Sequence, residues 1–254
     1  MSHAQEALGR IHSDLGGPLS PEASGSYHGA KYVLTFIDDH SCFAFVHFLS
    51  KKDEVFMTFK GFKAHLEKKL GRKIKILHTD RGGEYISLEM KDFLDEEGIV
   101  HEKSAPYSPQ SNGIAERFNT TLLEGERALS FTANIPSTLW ADLAATAAYV
   151  RNRLPHRSND WISPYEILYG EKPSLEHLRV IWSDAYAHIN KAQRRGGKLG
   201  PRAHKLKLIG YDDEYAYRLW DPEKHKVIIS RDVVFDETDI LKAEYTPPND
   251  SETE

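Results

Sequence analysis

"IKILHTDRGGEY", residues 74–85, decides how this chain folds. Its first half alternates, with Ile74, Ile76, His78 and Asp80 on one side, which is the period of a β-strand. Its second half breaks at Gly82 and Gly83, so the strand delivers Asp80 to an edge where the chain turns away. "IHSDLGGP", residues 11–18, repeats that order: strand, His, Ser or Thr, Asp, one free position, Gly. Asp14 is therefore expected, like Asp80, at a strand end with room above it.

Working outward, "YVLTFIDD" and "CFAFVHFLS" read as an antiparallel hairpin, rich in β-branched and aromatic residues. Asp38 and Asp39 fall in its turn. "KKDEVFMTFKGFKAHLEKKLG" is helical, since Phe59, Phe62, Leu66 and Leu70 recur at three- and four-residue intervals. A short helix, "SLEMKDFLDEEG", and a short strand, "IVHEKS", follow Asp80. "SAPYSPQSNGIAERFN", 104–119, then passes from a loop of prolines, serines and glycine directly into a helix, with Glu116 at the junction. A further helix spans "PSTLWADLAATAAYVRNRLP", with Leu139, Leu143, Ala147 and Val150 as its buried stripe. "SPYEILYGEKP" makes a short helix ended by Gly170.

The order β-β-β-α-β-α-β-α-α predicts an α/β architecture, a mixed five-stranded sheet flanked by helices, over residues 1–175. From about 178 the text becomes short strands and turns, predicting a small β-rich module over 176–238. Residues 239–254 are expected to be an acidic, disordered tail. The net charge of −5 sits mostly in residues 236–254, where seven acids and one lysine give −6 and leave the remainder at +1. Charge therefore neither favours nor excludes nucleic acid. "YVLTFI" and "FAFVHFL" are too short to span a bilayer. One cysteine, Cys42, leaves no intrachain disulfide and no cysteine-based zinc site, pointing to an intracellular chain.

Three carboxylates gathered without a cation repel one another, and at least one holds a proton. A hard divalent cation such as Mg²⁺ removes that conflict. Two such ions about 3.5–4 Å apart can hold the attacking and leaving oxygens of an in-line phosphoryl displacement. No serine has nucleophile-elbow surroundings. Taken singly, each acid is as well explained by a strand end or a helix start, so the combination carries the reading.

The stretches "IHSDLGGP", "YVLTFIDDHS", "IKILHTDRGGEY" and "APYSPQSNGIAERFNTTLLE" together resemble the catalytic core of retroelement integrases, most closely the Ty1/copia type. "SPYEILYGEKPSLEHLRV" and "GYDDEYAYRLWDPEKHKVIISRDVVFDE" extend the resemblance to about residue 238. Thirty-five residues separate Asp80 from Glu116, the spacing of that family's D,D-35-E signature. The resemblance implies an RNase H-like fold and metal-dependent polynucleotidyl transfer. Asp14, Asp80 and Glu116 would be the catalytic acids and the ligands of two Mg²⁺ ions, replaceable by Mn²⁺. The partners it implies are element-end and target DNA and further copies of the chain, with a core dimer. It implies no membrane, and a nuclear site of action.

In the family the segment before the glutamate is a mobile loop that orders around DNA. Tyr107, Gln110 and Asn112 are its expected contacts here, with Asn119 on the helix face shared with Glu116. Position 120, usually basic, is Thr120, and Phe118 is also uncharged. A compensating basic run, "KAQRRGGKLGPRAHKLK" at 191–207, offers Arg194, Arg195 and Lys198 to phosphates, or is a solvated linker. The family's zinc module ahead of the core is not recognised here. An excised core, a truncated remnant or a host-adopted binding module all fit that reading. A general RNase H-like nuclease shares the same metal chemistry. His12 and His78 are expected to pack or to orient the acids, and the four tryptophans to be core or subdomain contacts.

Overall fold

The computed structural model describes residues 4–104, 113–133, 135–189 and 200–238. The chain divides into two compact units, Met1–Leu175 and Glu176–Glu254.

The first unit is built on five strands, β1 (Ile11–Gly16), β2 (Tyr32–Asp38), β3 (Ala44–Leu49), β4 (Ile76–Thr79) and β5 (Val100–Lys103). Their order across the sheet is β3-β2-β1-β4-β5. β1, β2 and β3 are antiparallel neighbours, while β1 pairs in parallel with β4, and β4 with β5. That register sets His12 opposite His78, which carries the two expected acids toward the same edge.

β2 is apolar on both faces because the sheet is covered on both. Leu34 and Phe36 point into one cluster with Phe59, Phe62 and Leu66 of α1 (Val55–Leu70) and Met90 and Leu94 of α2 (Leu88–Glu97). Phe36 and Phe62 stack with centroids 4.3 Å apart. Val33 and Ile37 point the other way, toward Ala115, Phe118 and Leu122 of α3 (Gly113–Ala133) and Trp140, Ala141 and Ala144 of α4 (Trp140–Arg153). Each fully buried large apolar side chain contributes about 1.5–3 kcal/mol. Phe118 is thus a core residue that anchors α3, not a displaced DNA-facing cation.

The expected stripe on α4 is too narrow. Leu139 and Leu143 are buried, but so are Trp140, Ala141, Ala144, Ala145 and Ala148, whereas Ala147 and Val150 are half-exposed. Alanines let this helix press against α3 and the sheet on most of its circumference. Asn152, near its end, accepts from the Ala44 N–H at 2.9 Å and donates to the Ala44 carbonyl at 2.7 Å. An amide side chain thereby closes part of the exposed edge of β3. Trp161 departs from expectation too, being 69% exposed. Ile74 lies ahead of β4 and joins the α1 cluster with Leu77, so it does not share the face of His78. α5 (Pro164–Tyr169) is capped by Ser163, whose hydroxyl accepts from the Glu166 N–H.

The second unit is an antiparallel sheet in the order β10-β6-β7-β8-β9. Its strands are β6 (Asp184–His188), β7 (Ala203–Tyr211), β8 (Tyr217–Asp221), β9 (Lys226–Ser230) and β10 (Val233–Asp236). Ala185, Ala187, Leu206, Leu208 and Leu219 form its core. Among the described residues no helix is long and apolar enough to cross a membrane.

Candidate active site

Asp14 lies within β1, opposite Thr35 of β2, and not at the strand's end as its sequence context suggested. The room above it has a specific use. Gly16, two residues on and on the same face, carries no Cβ; one built there would lie 3.0 Å from Val33 Cγ1 and 3.8 Å from Asn119 Nδ2. It is Val33 that the missing Cβ accommodates; Asn119 of α3 lies beyond it and donates from Nδ2 to Asp14 Oδ2 at 2.6 Å. Asn119 is 7% exposed and its Oδ1 has no hydrogen-bond partner among the described residues. The structure therefore turns Asn119, expected among the DNA contacts, inward onto the first carboxylate.

Asp80 follows the last residue of β4, where the chain leaves the sheet. Its Oδ1 accepts from the Gly82 N–H at 2.9 Å, an aspartate turn that fixes the carboxylate. Thr79 Oγ1 donates to the Asp80 carbonyl at 2.7 Å. Glu116 stands in the first turn of α3 and is exposed. An acid is favoured there by the unpaired N–H groups of the helix start. Asn119 follows one turn later, so the two residues share a face.

The Asp14 carboxyl feels both its burial and its neighbours. Burial raises the Asp14 carboxyl above its ordinary range, the Asn119 hydrogen bond opposes that, and the charges of Asp80 and Glu116 raise it further. Among the described residues no group of three or more His, Cys, Asp or Glu side chains is drawn together tightly enough to hold a metal ion. The arrangement is an open one. Its donor chemistry nevertheless fits a hard divalent cation, because all three groups are carboxylates and their mutual repulsion is what such a cation reverses.

Residues behind the acids form a polar layer. On the far side of β1, Ser13 Oγ and Tyr85 OH are 2.8 Å apart. Burial pushes the Tyr85 phenol well above its usual value, and the charges of Asp14, Asp80 and Glu84 add to this, so it stays a neutral hydroxyl. On the acids' own face the buried His12 and His78 rings lie 5.0 Å apart. His12 Nε2 contacts Asp39 Oδ1 at 3.0 Å, and His78 Nδ1 contacts Glu102 Oε2 at 3.5 Å. Arg10 reaches Glu102 at 3.1 Å and Asp39 at 3.5 Å. Asp38 serves the hairpin turn through Ser41, as its position predicts, and also accepts from the Leu8 N–H. Asp39 does something the sequence did not announce, since it orients a histidine two residues from Asp14.

Tyr107, Gln110 and Asn112 lie outside the described residues, as do Arg194, Arg195 and Lys198.

A β3-β2-β1-β4-β5 sheet with acids on β1, after β4 and at the start of the following long helix defines an RNase H-like core. Residues 5–109 match the integrase core domain family, and residues 183–249 match the retroviral polymerase SH3-like domain family. Similar curated proteins are retrovirus-related Pol polyproteins. That of transposon TNT 1-94 from Nicotiana tabacum is 42% identical over 237 residues, covering 93% of this chain and 18% of the polyprotein. That of transposon RE1 from Arabidopsis thaliana is 30% identical, covering 84% of this chain and 14% of the polyprotein. The chain thus spans less than a fifth of the length of these relatives. Among solved structures, the simian T-cell lymphotropic virus intasome, in complex with PP2A regulatory subunit B56 gamma, shares the fold. It does so at a TM-score of 0.53 and 15% identity, over 93% of this chain and 80% of that one. The chain thus carries an integrase core domain followed by a retroviral SH3-like domain, an arrangement consistent with a copia-type integrase core.

Proposed function

We propose that this chain is the catalytic part of a retroelement DNA integrase, joining element 3′ ends to target DNA by metal-dependent polynucleotidyl transfer. The observation that carries the reading is the placement of Asp14 on β1, Asp80 directly after the paired β4, and Glu116 in the first turn of α3, the helix whose Asn119 is bonded to Asp14. Asp14, Asp80 and Glu116 would hold Mg²⁺, with Mn²⁺ as a substitute. Bound there, the metal would stabilise charge on the attacking and leaving oxygens of an in-line displacement.

The chain's own residues supply position. Asn119 holds Asp14 in one orientation, and the Gly82 N–H holds Asp80. Glu116, exposed on a helix fastened by Phe118 and Leu122, completes the set from the opposite side. In strand transfer a 3′-hydroxyl oxygen forms a new bond to phosphorus as the target's P–O3′ bond breaks. The hydroxyl proton passes to solvent and the departing oxygen is protonated in turn. Element ends and target DNA are the substrates in this reading, with the chain acting as a homo-oligomer in the nucleus.

The test is a disintegration assay, in which a branched DNA intermediate is resolved by the reverse of strand transfer, with Mg²⁺ or Mn²⁺. Wild type is expected to resolve it, and Glu116→Gln to lose activity with its thermal melt unchanged. Equal activity in wild type and Glu116→Gln would remove the reading. Preferential cleavage of RNA–DNA hybrids would replace it with a nuclease.

A further inference from the structure

We infer that the cavity between the end of α1 and the end of α5 is a docking site for an acidic peptide segment of a partner protein. The peptide sets an apolar side chain into the cavity and its carboxylates against Lys69 and Arg72. This goes beyond the integrase reading and does not depend on it.

The cavity measures about 390 Å³. Leu70, Ile167 and Leu168 supply its apolar part, together with Ala7 of the segment ahead of β1. Ala7 and Leu168 belong to a small cluster of their own with Phe43, against which Leu70, Tyr165 and Tyr169 pack. The polar part is cationic. Lys69 and Arg72 both line the cavity and both are exposed, and among the described residues no acid lines it. Lys69 Nζ lies 4.3 Å from the centroid of the Tyr169 ring, which holds the ammonium beside the cavity's aromatic wall. Burial, with Tyr165 adding to it, pushes the Tyr169 phenol up to about 12, so the wall also offers a neutral hydroxyl. Glu6, an acid whose pKa the Arg72 charge lowers, is already paired with Lys75.

The ordinary reason for lysines at this point is the helix end, where cations offset the free carbonyls of the last turn. That accounts for Lys68 and Lys69. It does not account for Arg72, which lies beyond the Gly71 cap, or for an apolar cavity beside the two cations. The two halves of the lining select the occupant together. Two cations without an acid select an anionic one. The apolar part selects a peptide over a sugar–phosphate backbone, which has no apolar group to place there. The location keeps this site apart from the acids. α1 leads to β4 and Ala7 precedes β1, and these strands run parallel, so the cavity lies where both begin. Asp14 and Asp80 lie toward their other ends.

The experiment pans a display library of short peptides, acids alternating with Leu, Ile, Phe and Trp, on the full chain. A parallel panning uses the Lys69→Glu, Arg72→Glu double variant, with a thermal melt to show that it is folded. Wild type is expected to enrich sequences that, as labelled peptides, bind it about tenfold more tightly than they bind the double variant. Ile167→Asn, which keeps both cations, is expected to weaken the same peptides. Absence of enrichment on wild type, or equal binding to wild type and the double variant, would overturn the docking site. Tighter binding of oligothymidylate than of any enriched peptide, lost in the double variant, would also overturn it, by assigning the two cations to nucleic acid. Disintegration by wild type and its loss in Glu116→Gln are read separately, so either conclusion can fail without the other.

Discussion

Asn119→Ala tests the arrangement around Asp14 most directly. The substitution removes a 2.6 Å amide donor from a carboxylate whose pKa burial already raises. A hydrogen bond to a charged group is worth about 1.5–3 kcal/mol. The same change also removes the buried Oδ1, which has no hydrogen-bond partner among the described residues and whose loss returns about 1 kcal/mol. The net expectation is a loss of about 0.5–2 kcal/mol, or roughly 1–8 °C in Tm for a domain of this size. Asn119→Asp keeps the shape but sets a second carboxylate against Asp14. It should be worse at pH 8, by about 3 kcal/mol, and recover toward pH 5 as the pair takes up a proton. Thermal melts at both pH values, with disintegration rates for each variant, make the assay. Rates should fall about 10–100-fold in Asn119→Ala, as for other residues that orient a metal ligand. If Asn119→Asp melts with wild type at pH 8, Asn119 does not touch Asp14 and the reasoning fails.

Two further expectations concern the scaffold. His47 packs edge-on against Phe36, at 5.5 Å, and Phe62, and burial lowers its pKa from 6.5 to about 4. The unfolded chain therefore takes up a proton first, so stability present above pH 6.5 is lost as the pH falls toward about 4. Allowing for the ring's partial exposure, the loss is about 2 kcal/mol. His47→Leu should flatten that part of the stability–pH curve, measured by urea unfolding, and an unchanged curve would show the proton is taken up elsewhere. Asn152→Ala should cost about 3 kcal/mol, because it leaves the N–H and carbonyl of Ala44 unpaired in a buried setting. A loss below about 0.5 kcal/mol in the same unfolding experiment would mean that water replaces the amide.

The sequence carried the strands, the helix order and the two aspartates in their shared context, because each rests on local period and on glycine. It did not carry direction. Asn119 shares a helix face with Glu116 on either reading, yet only the packed sheet shows that the face turns toward Asp14. Gly16 is no signal for it, since the close approach its missing Cβ marks is that of Val33. Asp39 was legible as a turn residue and illegible as the partner of His12, since that contact depends on the pairing of β1 with β2. Trp161 was misplaced for the opposite reason. Its size argued for the core, while its place in the turn between α4 and α5 left it outside.

The three acids differ in how firmly they are held, and the difference follows from their elements. Asp14 is fixed by a side chain and Asp80 by a backbone N–H, and both belong to the sheet or its margin. Glu116 makes no side-chain hydrogen bond among the described residues and stands exposed on α3, whose core face is pinned by Phe118 and Leu122. The helix is therefore anchored on its core face, while the glutamate side chain stands on its exposed face. Without a cation, repulsion from Asp14 and Asp80 favours the outward rotamers. With one, the same charges favour the inward ones. On the proposed metal-binding reading, Glu116 would join the other two acids by a swing of its side chain, which a residue pinned by its neighbours could not make.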